Sequence, residues 1–215
     1  MKKQYSYIML LAFFIVTVSF VVIKYKNKTQ AENNIFYSLL PRTGNDLNKA
    51  EWKTSKENTE KLIAKIKLNR GDVKSAIALA NAYIIEARIS GNIAYYDNAA
   101  MKTVEQVLKT EPNNSEGLML KSLIQLSQHH FADGLATAES AVSANPNNSF
   151  GYGLLVDANV EMGNYEAALA AADKMVTARP DLRSYSRIAY LREIYGDYAG
   201  AIDAMKLAVD AGVPA

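Results

Sequence analysis

From about Asn48 onward, apolar side chains recur three and four residues apart, as in Val104/Val107/Leu108, Ala138/Ala141/Val142, Ala172/Met175/Val176 and Met205/Ala208/Val209. That spacing gathers them on one side of a helix. Polar stretches interrupt the runs regularly: Pro112, Pro146, Pro180 and Pro214 lie 34 residues apart, and only Pro41 of the five prolines stands off this lattice. A fixed period of this size marks a solenoid, in which one unit cannot bury its own apolar face and must stack on the next. Each unit holds two helices. In the second, aromatic-x-x-small recurs as Tyr96-Asp97-Asn98-Ala99, Phe131-Ala132-Asp133-Gly134, Tyr165-Glu166-Ala167-Ala168 and Tyr198-Ala199-Gly200-Ala201. The small residue admits close approach of the paired helix, and the aromatic fills the seam between units.

The turn Asn69-Arg70-Gly71-Asp72 stands where later units have Glu111-Pro112-Asn113-Asn114 and Asn145-Pro146-Asn147-Asn148. Its Arg-Gly-Asp therefore reads as a helix-connecting turn and not as an adhesion motif. Between Arg70 and Pro112 the spacing is 42 residues, with the surplus around Ile89 to Tyr96. Either the first helix there is longer or the loop is.

The N-terminus follows another pattern. Gln4 to Ile23 are twenty residues without a charge, enough helix to cross roughly 30 Å of hydrocarbon. Residues 1–26 are expected to be a membrane anchor. The rival is a signal peptide, cleaved or retained, although the run lacks a small-x-small end and Thr29-Gln30-Ala31 lies beyond three lysines. Lysines flank both sides, so orientation rests on the export-like leader, which places the following domain outside the cytoplasm. Residues 27–47 read as a polar linker, with Ile35, Phe36, Leu39 and Leu40 positioned to dock on the first helix. That helix opens near Asn48, with Glu51 completing a capping box and Trp52 as a staple in its first turn.

Composition narrows the function classes. With 49% apolar and 21% charged residues the chain is not a disordered type. It has no cysteine, which removes disulfides, thiolate metal sites and thiol nucleophiles. The net charge of +2 comes from Lys2, Lys3, Lys24, Lys26 and Lys28; without these five, 19 basic face 22 acidic residues. No basic stripe for phosphate neutralisation is present, so nucleic acid is not an expected partner. Residues 42–74 carry nine basic and five acidic side chains, whereas 111–173 carry Lys121 against eight acids. Solvated helix faces account for this. The functional alternative sets the basic part on anionic headgroups and lets the acidic part recruit a basic partner.

Adjacent His129 and His130 point about 100° apart on a helix and cannot share a metal by i, i+4 geometry. No phosphate-binding glycine loop or acid–base carboxylate pair occurs, and no catalytic residue, cofactor or metal site is assigned. Asn113-Asn114-Ser115 and Asn147-Asn148-Ser149 fit a glycosylation pattern but sit at equivalent turns, which points to a structural cause.

Leu79-Ala80-x-x-Tyr83 in a first helix, the recurring aromatic-x-x-small, Gly163-Asn164-Tyr165 and Gly196-Asp197-Tyr198 at turns, and the 34-residue prolines together resemble tetratricopeptide repeats (TPRs). The resemblance implies an all-α solenoid over 48–215, with about four helical hairpins plus a leading helix in a right-handed superhelix, preceded by the transmembrane helix. It also implies a non-enzymatic, membrane-tethered scaffold whose concave groove binds a peptide or helix of another protein. The first helices would line that groove. By position in the repeat they contribute Glu116, Met119, Leu123, Leu126 and Ser127, then Phe150, Gly153, Asp157, Val160 and Glu161, then Ser184, Arg187, Leu191, Ile194 and Tyr195. Packing in the core is the alternative role for several of these.

Ser122 and Val156 depart from the family's small residue, and Gln125 and Asn159 from its aromatic, which predicts looser packing or rotated helices. The cationic clamp by which some TPRs hold a terminal carboxylate is not expected, because only Arg187 has the right sign. The cationic run Arg179, Arg183 and Arg187 has an ordinary explanation in salt bridges to Asp181 and Glu193. Pro214 stands where a closing helix would begin. Leu207 and Val209 are therefore expected to be partly open, inviting self-association through the last repeat or a docked partner. The alternative reading makes the array a sensing or dimerisation arm of a longer protein.

Overall fold

The computed structural model describes residues 13–24, 36–43 and 50–212. The chain divides into two units, residues 1–37 and 38–215. In the first, residues 13–24 are helical (α1), with the Thr17 hydroxyl donating to the Phe13 carbonyl at 2.7 Å. Its Phe13, Phe14, Val16 and Phe20 side chains are exposed. The rest of the expected anchor lies outside the described residues, and among those described no helix is long and apolar enough to cross a membrane.

The second unit is helical throughout its described repeats. It runs α2 (Ala50–Leu68), α3 (Val73–Ser90), α4 (Ile93–Thr110), α5 (Ser115–Ser127), α6 (Phe131–Ala144), α7 (Ser149–Glu161), α8 (Tyr165–Ala178), α9 (Leu182–Ile194) and α10 (Tyr198–Gly212). Helices α3/α4, α5/α6, α7/α8 and α9/α10 form hairpins, and α2 packs on α3 as a leading helix.

Local chemistry sets the boundaries. Asn114 and Asn148 cap α5 and α7, accepting from the Gly117 and Phe150 amides at 2.8 and 3.0 Å, which is the structural cause of the repeated Asn-Asn-Ser. Asp181 caps α9 in a reciprocal box with Ser184. Asp72 caps α3 through the Ser75 amide and hydroxyl, which hold its carboxyl below the usual range. The Arg-Gly-Asp turn thus has its acid committed to a helix. Gly163 and Gly196 close the α7/α8 and α9/α10 turns in the left-handed region, at φ of 74° and 76°. His129 takes the same role after α5 at φ 60°, the one non-glycine among the described residues to do so.

Inside the hairpins the small-residue rule operates. A Cβ on Gly134 would lie 2.7 Å from Leu126 Cδ2, so glycine sets how closely α5 and α6 approach. Ser122, expected to loosen this repeat, is fully buried and donates its hydroxyl to the Gly134 carbonyl at 2.8 Å, tying the two helices together. Val156 is likewise core, packed with Ala168, Ala172 and Leu191.

The surplus in the first repeat is entirely helical. Both α3 and α4 have 18 residues, against 13 in α5 and 14 in α6. Aligning α3 by its start and α4 by its C-cap leaves 86–90 and 93–96 as the additional residues. The same alignment pairs Val107, Ala141 and Met175, whose carbonyls all accept from the C-cap amide. It also moves the first aromatic-x-x-small unit by one, so that Asp97 and Ala100, and not Tyr96 and Ala99, are the equivalents of Phe131 and Gly134.

Candidate functional site

Each first helix touches the next, α3 to α5 to α7 to α9, whereas second helices touch only the first helices on either side. The first helices are the more closely spaced layer, and the array is concave on that side. On this layer Glu116 and Glu161 are exposed, and Leu123 and Phe150 are half-buried at the edge of a core cluster of Met119, Ala138, Ala141 and Leu154.

Four of the expected groove residues, Met119, Gly153, Ser184 and Leu191, are buried. Met119 is 4% exposed, and its sulfur lies 3.8 Å from where a Cβ on Gly151 would be, so it occupies space that glycine leaves on α7. Leu191 is 0% exposed, for a different reason. The turn before α9 has one residue fewer than those before α5 and α7, so α9 begins one place early on the proline lattice. Counted from helix starts, Leu191 matches the core residues Ile124 and Ala158, and the groove position falls on Tyr190, which is 52% exposed. Ser184 is buried by the same slip. Tyr195 is exposed and meets the Tyr165 ring edge-on at 5.9 Å between centroids.

Two groove residues are joined to each other. Arg187 on α9 donates through Nε and Nη2 to the two Asp157 carboxylate oxygens on α7, at 2.8 and 2.7 Å. This two-pronged pair spans neighbouring first helices. Gly153 makes room for it, since a Cβ there would stand 3.3 Å from the guanidinium carbon. The pair neutralises both charges, leaving Glu116 and Glu161 as the exposed charges among the candidate positions. Arg179 bridges to Asp181 at 3.0 Å, so the expected cationic run is broken up, although Arg187 pairs across repeats and not with Asp181 or Glu193.

At the other end of the array the sequence expected apolar linker residues to dock, but not the buried ion pair and hydrogen bonds that hold them there. Residues 38–43, within the expected linker, are strapped to the first hairpin. Arg42, 5% exposed, donates through Nε and Nη2 to Glu86, 2% exposed, at 2.9 and 2.8 Å. A third bond reaches Glu51 at 3.3 Å, and the guanidinium lies 5.2 Å from the centre of the Trp52 ring. Trp52 is thus covered by an internal cation. The Leu40 amide donates to the Tyr96 hydroxyl at 2.8 Å, and the Tyr95 hydroxyl donates to the Ser38 carbonyl at 2.9 Å. Tyr83, Tyr96 and Tyr95 form a continuous ring cluster beneath. Glu86, Tyr95 and Tyr96 all belong to the additional residues of the first repeat, so the extension is what carries the strap. The sequence signals were the apolar Leu39 and Leu40 in the linker, the long hairpin and one acid, Glu86, between the apolar Ile84, Ile85 and Ala87 of α3.

Elsewhere the chemistry is sparse. His129 packs edge-on against Phe131, and no group of three or more metal-ligating side chains occurs among the described residues. On α10, Ile202, Met205, Leu207 and Val209 are exposed, and among the described elements α10 packs only on α9.

The paired helices, the layer of touching first helices and the turn positions have counterparts among solved structures. The solenoid has the tetratricopeptide-repeat fold. A crystal structure of MamA matches 79% of this chain and 95% of its own, with a TM-score of 0.58 and 15% identity. A thermophilic TPR protein of Thermus thermophilus matches 65% of this chain and 74% of its own, at 0.56 and 18%. A tetratricopeptide repeat protein from Parabacteroides merdae matches 76% of this chain and 61% of its own, at 0.62 and 13%. No protein-family model and no curated protein matches the sequence. At these identities the likeness concerns the TPR fold alone.

Proposed function

We propose that this chain is a membrane-tethered, non-enzymatic TPR scaffold whose concave face holds a segment of another protein. The observation that carries the reading is the continuous layer of first helices, with half-buried Leu123 and Phe150, exposed Tyr190 and Tyr195, and the carboxylates of Glu116 and Glu161 at its edges. Such a face suits an amphipathic or basic helix. The uncharged run from Gln4 to Ile23 supports the tether, and the export-like leader supports an extracytoplasmic solenoid. Photoreactive residues at Phe150 and Tyr190 in the full chain should give the same protein adduct in cells. No protein adduct at either position would overturn the groove.

A second reading has its own observation. The open apolar face of α10 supports self-association through the last repeat, which fits the sensing or dimerisation arm. A full chain that remains monomeric in detergent across a wide concentration range would contradict it.

A further inference from the structure

The seam between the first and second repeats differs in chemistry from the later one. Between the third and fourth repeats the Tyr165 ring at the start of α8 meets Tyr195 at the end of α9. Counted from helix starts and C-caps, the equivalent positions at the first seam are Asp97 on α4 and Gln128 after α5. Neither ring has a counterpart there, and beside Asp97 and Ser127, the last residue of α5, lies a cavity of about 70 Å³. Its walls are Ile84 and Ala87 of α3, Ile93 of α4, and Leu123 and Ile124 of α5, with Arg88 also contributing. Asp97 is 3% exposed, and its Oδ2 has no hydrogen-bond partner. Burial pushes this carboxyl up, opposed by the Ser127 hydroxyl and the Arg88 charge. Arg88 is exposed and forms no ion pair with it. An unpartnered buried carboxylate is costly, and a cation brought to it recovers that cost.

We propose that this cavity is a pocket for a lysine side chain of the partner polypeptide, its methylenes against the isoleucines and Leu123 and its ammonium on Asp97 Oδ2. The inference rests on the groove reading for the source of the lysine, since Leu123 and Ser127 belong to the groove positions. Lysine suits the site because it couples an apolar stem to a compact charge. The neighbouring stretch agrees in sign, with Lys121 against eight acids over 111–173.

The test uses the full chain in detergent with isoleucine methyl groups labelled for NMR, and n-butylammonium as the probe of a lysine side chain. Saturable shifts of the Ile84, Ile93 and Ile124 methyls are expected, weakened about tenfold or more by Asp97→Asn. Uncharged n-butanol should produce no comparable shifts in the wild-type protein, a comparison that needs no variant. Equal responses to the two probes, or a response unaffected by Asp97→Asn, would show an apolar cavity or a water site and overturn the pocket. Crosslinks at Phe150 and Tyr190 without a butylammonium response would sink the pocket and leave the groove. A butylammonium response without crosslinks would overturn the groove and the polypeptide source together.

Discussion

Replacing Glu86 with glutamine keeps the shape of the side chain and removes the charge that Arg42 is buried against. If the strap stayed in place, an unpaired guanidinium would remain in the interior at a cost of ~3–5 kcal/mol. The strap has another exit. Residues 38–43 can lift off and return Arg42 to water, giving up two tyrosine hydrogen bonds of ~1 kcal/mol each and a cation–ring contact of ~0.5–2 kcal/mol. The cheaper route decides the outcome, so a loss of ~2–4 kcal/mol is expected, with each kcal/mol lowering the Tm of a chain this size by ~2–4 °C. Lifting off also exposes the Arg42–Thr43 bond. Trypsin, with products read by mass, should cut there readily in Glu86→Gln and slowly in the wild type. Glu51→Gln is the control, because its carboxylate is 64% exposed and such pairs contribute less than ~1 kcal/mol. An unchanged Tm together with continued protection of Arg42–Thr43 in Glu86→Gln would refute the strap as the product of this ion pair.

Three further outcomes follow from the geometry. Asp97 keeps in the folded state a proton that the unfolded chain releases, so stability should fall as pH rises from the ordinary carboxylate value of 3.8 through the raised one. Asp97→Asn should remove that decline and raise stability at pH 7 by ~1 kcal/mol, with the difference closing below the ordinary value; thermal melts across pH check both signs. His129→Gly should add ~1 kcal/mol, because a side chain in the left-handed region carries a cost that glycine lacks, and a drop in urea midpoint would contradict this. Ala168→Trp, at a fully buried place against Val156 and Leu191, should cost at least ~1–3 kcal/mol through overpacking, read as a lowered Tm.

Much of the fold was legible because its determinants are local and repeated. The 34-residue proline spacing, the Asn-Asn-Ser caps of α5 and α7 and the small residue in each second helix report short-range geometry, and each recurs in at least two repeats. The groove was legible in outline only. Counting along the prolines put Leu191 on the surface, and a turn one residue shorter turned it inward by about 100°. The Tyr96/Asp97 assignment failed similarly, since Tyr96 resembles the aromatic of later repeats while the C-cap alignment gives that place to Asp97.

The sequence by itself determined the helical hairpins, because they follow from period, capping and apolar spacing within some forty residues, whereas the inward-facing layer came only as what the tetratricopeptide resemblance implies. Tertiary structure alone decided which charges are neutralised and which are stranded. Arg42 meets Glu86 across 44 positions and Arg187 meets Asp157 across 30, and neither partner is implied by local pattern. Asp97 keeps one carboxylate oxygen, Oδ2, without a hydrogen-bond partner, because the additional helical turns around it shift its place in the seam. Pairing of buried charge depends on distances of a few ångströms between helices, and those distances are set only once the hairpins have stacked.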